Sequence, residues 1–146
     1  MMSTKSPNNQ LRVARIVLWF YAVLFVVFGV PAILVPVPLA ATVNTLLPTA
    51  TARIDFAATY GGSVFGIAAF LAFCAVHHER LRLGLLANAF FLAGYAIIRG
   101  VGIVLALGEV RPTLYLMLAI ELSGAVISFW VASRVVNSEQ RSFPLQ

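Results

Sequence analysis

The sequence predicts an all-α membrane protein: a four-transmembrane-helix bundle with both termini cytoplasmic. Three observations carry that reading. Of 146 residues, 61% are hydrophobic and 10% charged, against roughly 45–50% and 25% in soluble domains. The mean hydropathy is +0.95. The apolar residues also gather in four continuous runs, each long enough for the about 20 residues a helix needs to cross a hydrocarbon core of about 30 Å.

The runs are 13–35, 54–76, 83–107 and 113–136, each bounded by charge, proline or polar residues. They make one domain, 13–136, flanked by polar tails at 1–12 and 137–146, of which the first several residues after Met1 and the whole C-terminal tail are expected to be mobile. No length remains for a soluble domain. Transmembrane β-strands alternate in polarity over about ten residues, whereas these runs are longer and continuously apolar. Their glycines and β-branched residues would weaken a helix in water, but in lipid the backbone must close its own hydrogen bonds. The single cysteine, Cys74, excludes an internal disulfide framework. A signal peptide is the competing reading of the first run. Its apolar stretch exceeds the usual h-region of roughly 7–15 residues, and Pro36 and Pro38 stiffen the region of any cleavage site, so a retained span is expected.

Charge sets the orientation. Lys5, Arg12, Arg15, Arg80, Arg82, Arg134 and Arg141 share one side, and only Arg53 and Arg111 lie on the other. That bias places both termini in the cytoplasm. The net charge of +5 then belongs to topology and to anionic lipid head groups, so membrane lipid is the expected partner and nucleic acid is not.

Two connections are informative. The stretch 36–48 is too apolar for a solvated loop and too interrupted for a span, which leaves an interfacial amphipathic segment, a cap over the bundle or a surface linker. His77, His78 and Glu79, with Arg80 and Arg82, form the turn between the second and third spans. Adjacent histidines point in different directions, and a structural zinc site needs four converging ligands. A solvated basic loop is expected, with no metal.

Charged residues inside spans cost about 2.5–3.5 kcal/mol each at the centre, so each is a functional candidate. Arg99 lies eight residues before the end of the third run, and Glu121 eight residues after the start of the fourth. At 1.5 Å per residue both sit about 12 Å below one boundary, which predicts an Arg99–Glu121 pair. Asp55 opens the second span on the same side. Helical spacing extends these into stripes: Asp55, Thr59, Gly62 and Gly66; Asn88, Tyr95, Arg99 and Gly102; Glu121, Gly124, Ala125 and Ser128. If the stripes face one another, they enclose a polar pocket with catalytic candidates Glu121, Arg99 and Asp55. Tyr60, Tyr95, Asn88, Ser63 and Tyr115 are then the substrate-binding candidates. The structural alternative is a small-residue seam at Ala58, Gly62 and Gly66, with Arg99–Glu121 as a lock between helices.

Several chemistries lack their parts. There is no phosphate-binding loop, no nucleophile elbow, no Cys-x-x-Cys and no His-Glu-x-x-His. His77 and His78 are the only haem-ligand candidates and have no evident pocket, so no cofactor is expected. Acid–base chemistry remains, because burial favours the neutral form of a carboxyl and a neighbouring guanidinium favours the charged one.

Tyr60-Gly61-Gly62, then Gly66, Asn88 to Arg99 and Glu121 give the chain a resemblance to a bacterial family of small four-span membrane proteins known as a domain of unknown function. The resemblance covers all four spans and implies a helix bundle in the bacterial inner membrane, with no activity attached. Small multidrug carriers share the four short spans, but their signature acidic residue lies in the first span, where this chain has none. The expected function is binding or converting a small lipophilic ligand by acid–base chemistry in an intramembrane pocket. The alternatives are a small proton-coupled transporter, acting as a homo-oligomer because four spans enclose little volume, and a non-catalytic accessory subunit.

Overall fold

The protein is described from a computed structural model covering residues 7–106 and 110–142, with only the backbone described at Pro7 and beyond Val135. The expectations for Lys5, for Leu107 as the end of the third span and for the Arg141 side chain lie outside the described residues. Among those residues the structure is helical and without strands. It contains α1 (Pro7–Leu34), α2 (Pro36–Thr42), α3 (Ala50–Phe56), α4 (Ser63–Val76), α5 (Leu81–Leu105) and α6 (Pro112–Ser142). A π-helical turn, Ala57–Gly62, joins α3 to α4 without a break, and a 3-10 turn, His78–Arg80, leads into α5. Four helical stretches are long and apolar enough to cross a membrane: Asn8–Leu34, Ala50–Val76, His78–Leu105 and Pro112–Val135. The chain is a multi-pass membrane protein.

The helix boundaries follow from local chemistry. Pro36, which has no N–H to donate, begins α2 rather than continuing α1. Helix α2 ends in a Schellman motif. Asn44 adopts φ 59°, while Thr45 N–H donates to Ala40 O at 2.9 Å and Asn44 N–H to Ala41 O at 3.1 Å. The stretch 36–48 is thus a short helix, a tight stop and an irregular segment. Thr49 caps α3, its hydroxyl accepting from Ala52 N–H at 3.1 Å, so the second membrane helix starts four residues before the expected 54. His77 is extended and follows the end of α4 at Val76. The tails are shorter than composition predicts, because α1 already begins at Pro7 and α6 runs on to Ser142.

The chain divides into two compact units. The first joins residues 1–18 to residues 74–146. Here α5 and α6 run antiparallel. Leu81, Gly84, Leu85, Asn88, Ala89, Leu92 and Ala96 are buried on α5, and Gly124, Ser128, Val131, Ala132 and Val135 on α6. Spacings of three and four put each set on one helix face. Gly84 allows close approach, since a Cβ there would lie 2.6 Å from the Cys74 Cβ and 3.1 Å from Leu18. Arg15 Nε donates to the Ala75 carbonyl at 3.1 Å, closing the carbonyl end of α4.

The second unit is residues 19–73. Ala32, Ala40 and Phe56 form a small core covered by Leu39 and Leu47. Gly29 and Gly61 bring α1 against the π-helical turn: a Cβ on Gly61 would lie 2.4 Å from Ile33 Cγ1, and one on Gly29 2.8 Å from the Phe65 ring. The close approach therefore runs through Gly61 and not through the seam of Ala58, Gly62 and Gly66, all of which are exposed. Large apolar side chains such as Ile98, 75% exposed, and Leu105, 74% exposed, point outward, as lipid-facing residues do.

Candidate functional site

Arg99 and Glu121 meet where α5 and α6 face each other. Arg99 Nε donates to Glu121 Oε2 at 2.9 Å and Oε1 at 3.1 Å, and Arg99 Nη2 donates to Oε1 at 2.7 Å. This is a two-point contact between planar groups, the strong form of an Arg–carboxylate pair. The side chains retain 22% and 12% of their exposure, so the pair is shielded without being sealed. Its position follows from the antiparallel register, in which Asn88 bonds to Ser128 while Gly100 lies opposite Leu118. The pairing expected from matched depth is present.

Near Arg99 on α5, a Cβ at Gly102 would meet nothing within 4 Å and one at Gly100 would reach only a Leu118 methyl at 3.9 Å; Gly94, on another side of the helix, is also open. Tyr95 lies one helical turn from Arg99, half-buried, its ring 5.1 Å from that of Phe91. Tyr115 is exposed on α6.

Asn88 occupies a second polar point of the same helix pair. It is wholly buried, as is Ser128, and Asn88 Nδ2 donates to Ser128 Oγ at 2.8 Å. The α5 stripe is partly as expected: Asn88 and Arg99 share the face turned to α6, whereas Gly102 is exposed. Glu121, Gly124, Ala125 and Ser128 do share one face of α6, with Gly124 and Ser128 buried and the other two half-buried.

Asp55, Tyr60 and Ser63 belong to the second unit. All three are exposed, as are Thr59, Gly62 and Gly66 of the same expected stripe. That stripe assumes an unbroken α-helix, and the π-helical turn interrupts its period. The Tyr60 ring lies 4.6 Å from Phe56. Ser63 has a local task. Its N–H bonds five residues back to Ala58 O, and its hydroxyl donates to the Thr59 carbonyl, the group its own N–H would take in a regular α-helix. The pair Gly61-Gly62 followed by a hydroxyl residue was the available sequence signal for this turn, and hydropathy alone passes over it.

Among the described residues no three of His, Cys, Asp and Glu gather as metal ligands would. His77 Nδ1 lies 3.4 Å from Arg80 Nη1, and His78 Nε2 lies 3.9 Å from Glu79 Oε1, both at the exposed turn. Arg99–Glu121 sets a carboxylate beside a fixed cation, the two kinds of group that acid–base chemistry and anion binding use.

The family model DUF4345, described as a domain of unknown function, matches residues 13–132, which span all four membrane helices. No curated protein and no solved structure matches.

Proposed function

Because the chain belongs to the DUF4345 family, whose description assigns no activity, we propose a function from the geometry: a small lipophilic molecule is bound at Arg99–Glu121 and converted there by acid–base chemistry. One observation carries this reading. A two-point ion pair stands inside a membrane span, part-exposed, with open space at Gly102, about one helical turn along α5 from Arg99. Two charges at that depth are costly to keep, and a pair serving only as a lock gains from close packing around it. A molecule bearing a carbonyl or hydroxyl group enters from the lipid and takes over one of the guanidinium N–H bonds. Glu121 then removes or delivers a proton, and Arg99 holds the negative charge that develops.

The setting we propose is the bacterial inner membrane with both termini in the cytoplasm. Arg12, Arg15, Arg80, Arg82 and Arg134 support it. So does the Arg134 guanidinium, 4.4 Å over the Trp130 ring near the same end of α6, where aromatic and basic residues mark a membrane interface.

One observation favours a second reading. Both carboxylate oxygens of Glu121 are already engaged by Arg99, which also suits a lock in an accessory subunit. Thermal unfolding in mild detergent separates the two, comparing wild type with Glu121→Gln and Arg99→Gln in the presence of a panel of lipophilic carbonyl compounds and alcohols. A binding site gives a compound that raises the wild-type midpoint and leaves both variants unmoved. Both readings allow the variants to melt earlier, and a lock is marked by the absence of any compound that raises the wild-type midpoint.

A further inference from the structure

Asn88 Nδ2 is spent on Ser128 Oγ, but Asn88 Oδ1, equally buried, accepts from no group of the chain among the described residues. A carbonyl oxygen sealed away from water without a donor is strongly disfavoured, and helix backbone amides are already used within their own helices. Turning the side-chain amide end for end does not remove the problem. Oδ1 would then accept from the Ser128 hydroxyl, and the NH2 group, with its two hydrogens, would be stranded in its place. One orientation lacks a donor and the other lacks an acceptor.

A hydroxyl answers both cases, because it donates and accepts. We infer that the unpaired edge of Asn88 is a binding site for one uncharged hydroxyl, supplied by a water molecule or by the alcohol head of a lipophilic molecule. A charged group does not fit. Leu85, Ala89 and Leu92, the neighbours of Asn88 on the buried face of α5, are apolar, and Arg99 lies eleven residues away, about 16 Å along the helix. The residues within about one turn of Ser128 on α6 are short: Gly124 and Ala125 on one side and Ala132 on the other. The site does not depend on the reading of Arg99–Glu121. Variants at that pair test one, and the Asn88 amide reports on the other.

The experiment is proton NMR of the full chain, labelled with 15N-asparagine, in deuterated detergent. Cross-peaks from the Asn88 side-chain amide are recorded alone, with 1-decanol, and with decane as control. The resting protein is expected to show a cross-peak to water. If 1-decanol replaces it with a cross-peak to the decanol chain and decane leaves it unchanged, the site takes an alcohol head. If water persists in all three samples, the hydroxyl is an ordered water. An amide in contact with neither water nor decanol overturns the inference. So does a water cross-peak that disappears in Ser128→Ala, because it then reports exchange through the serine hydroxyl. The decanol cross-peak is free of that relay and decides the case in wild type alone.

Discussion

Arg99 approaches Glu121 side-on, Nε to Oε2 at 2.9 Å and Nη2 to Oε1 at 2.7 Å, so that the edges of two flat groups lie against each other. The contact needs the fork of a guanidinium as well as its charge. Removing either partner by Arg99→Gln or Glu121→Gln is expected to cost about 2 kcal/mol, less than the 3–5 kcal/mol of a fully buried pair because both side chains keep some exposure. Arg99→Lys keeps the charge and should still lose most of the two-point contact. Exchanging the partners, Arg99→Glu with Glu121→Arg, should recover part of the loss. Thermal unfolding midpoints in detergent check the series, and singles that unfold as wild type does would remove the pair from any account of stability.

Gly61 and Gly62 are neighbours with opposite demands. Gly61→Ala places a methyl 2.4 Å from Ile33 Cγ1, an overpacking expected to cost about 1–3 kcal/mol. Gly62→Ala and Gly66→Ala enter open space and should leave stability unchanged or slightly raised, since alanine favours a helix. Shortening the obstacle by Ile33→Ala in the Gly61→Ala background should restore part of the loss. Melting curves of the four variants decide the matter, and equal effects at positions 61 and 62 would refute the packing described for α1.

Asn88 and Ser128 form an interhelical hydrogen bond within the membrane span. A double-mutant cycle with Asn88→Ala and Ser128→Ala is expected to give a coupling of about 0.6 kcal/mol, with about 1.7 kcal/mol as the upper end for such bonds. Ser128→Ala alone should cost more than the coupling, because it strands a buried N–H donor. Additive single effects would show that the two side chains do not interact.

Orientation is open to a direct measurement. A fluorescent protein fused after Gln146 should mature, and a periplasm-dependent phosphatase at the same place should be inactive. Replacing Arg12 and Arg15 by neutral residues weakens the charge asymmetry and is expected to produce a mixed population. An active phosphatase on the native sequence would reverse the assignment of both termini.

The four spans were readable because a hydrocarbon core imposes a length and a polarity that few sequences meet by accident. Arg99 and Glu121 were readable for a related reason: two charges at equal depth on consecutive antiparallel helices have little choice but to meet. Asn88 and Ser128 gave a weaker signal. Each falls on its expected face, but neutral polar residues are common enough in membrane helices that nothing singled out their contact. Asp55 and Thr59 are exposed, with Gly62 and Gly66, and the π-helical turn between them is invisible to a reading by period alone. Thr49 as a cap and Asn44 as a helix stop are visible in residue type, though the hydropathy of 36–48 carries neither signal.

The π-helical turn also bears on insertions and deletions. A surface loop absorbs one added residue by bulging into water, but a helix held at two membrane interfaces has nowhere to expel it. A wide turn such as Ala57–Gly62 takes in one residue more than an α-helical turn, and the Ser63 hydroxyl satisfies the Thr59 carbonyl that the Ser63 amide leaves. Relatives one residue shorter in this stretch should therefore carry an unbroken α-helix, with everything before the deletion swung by about 100° around the axis. In such relatives chain length, more than residue identity, would decide which way the position equivalent to Asp55 turns.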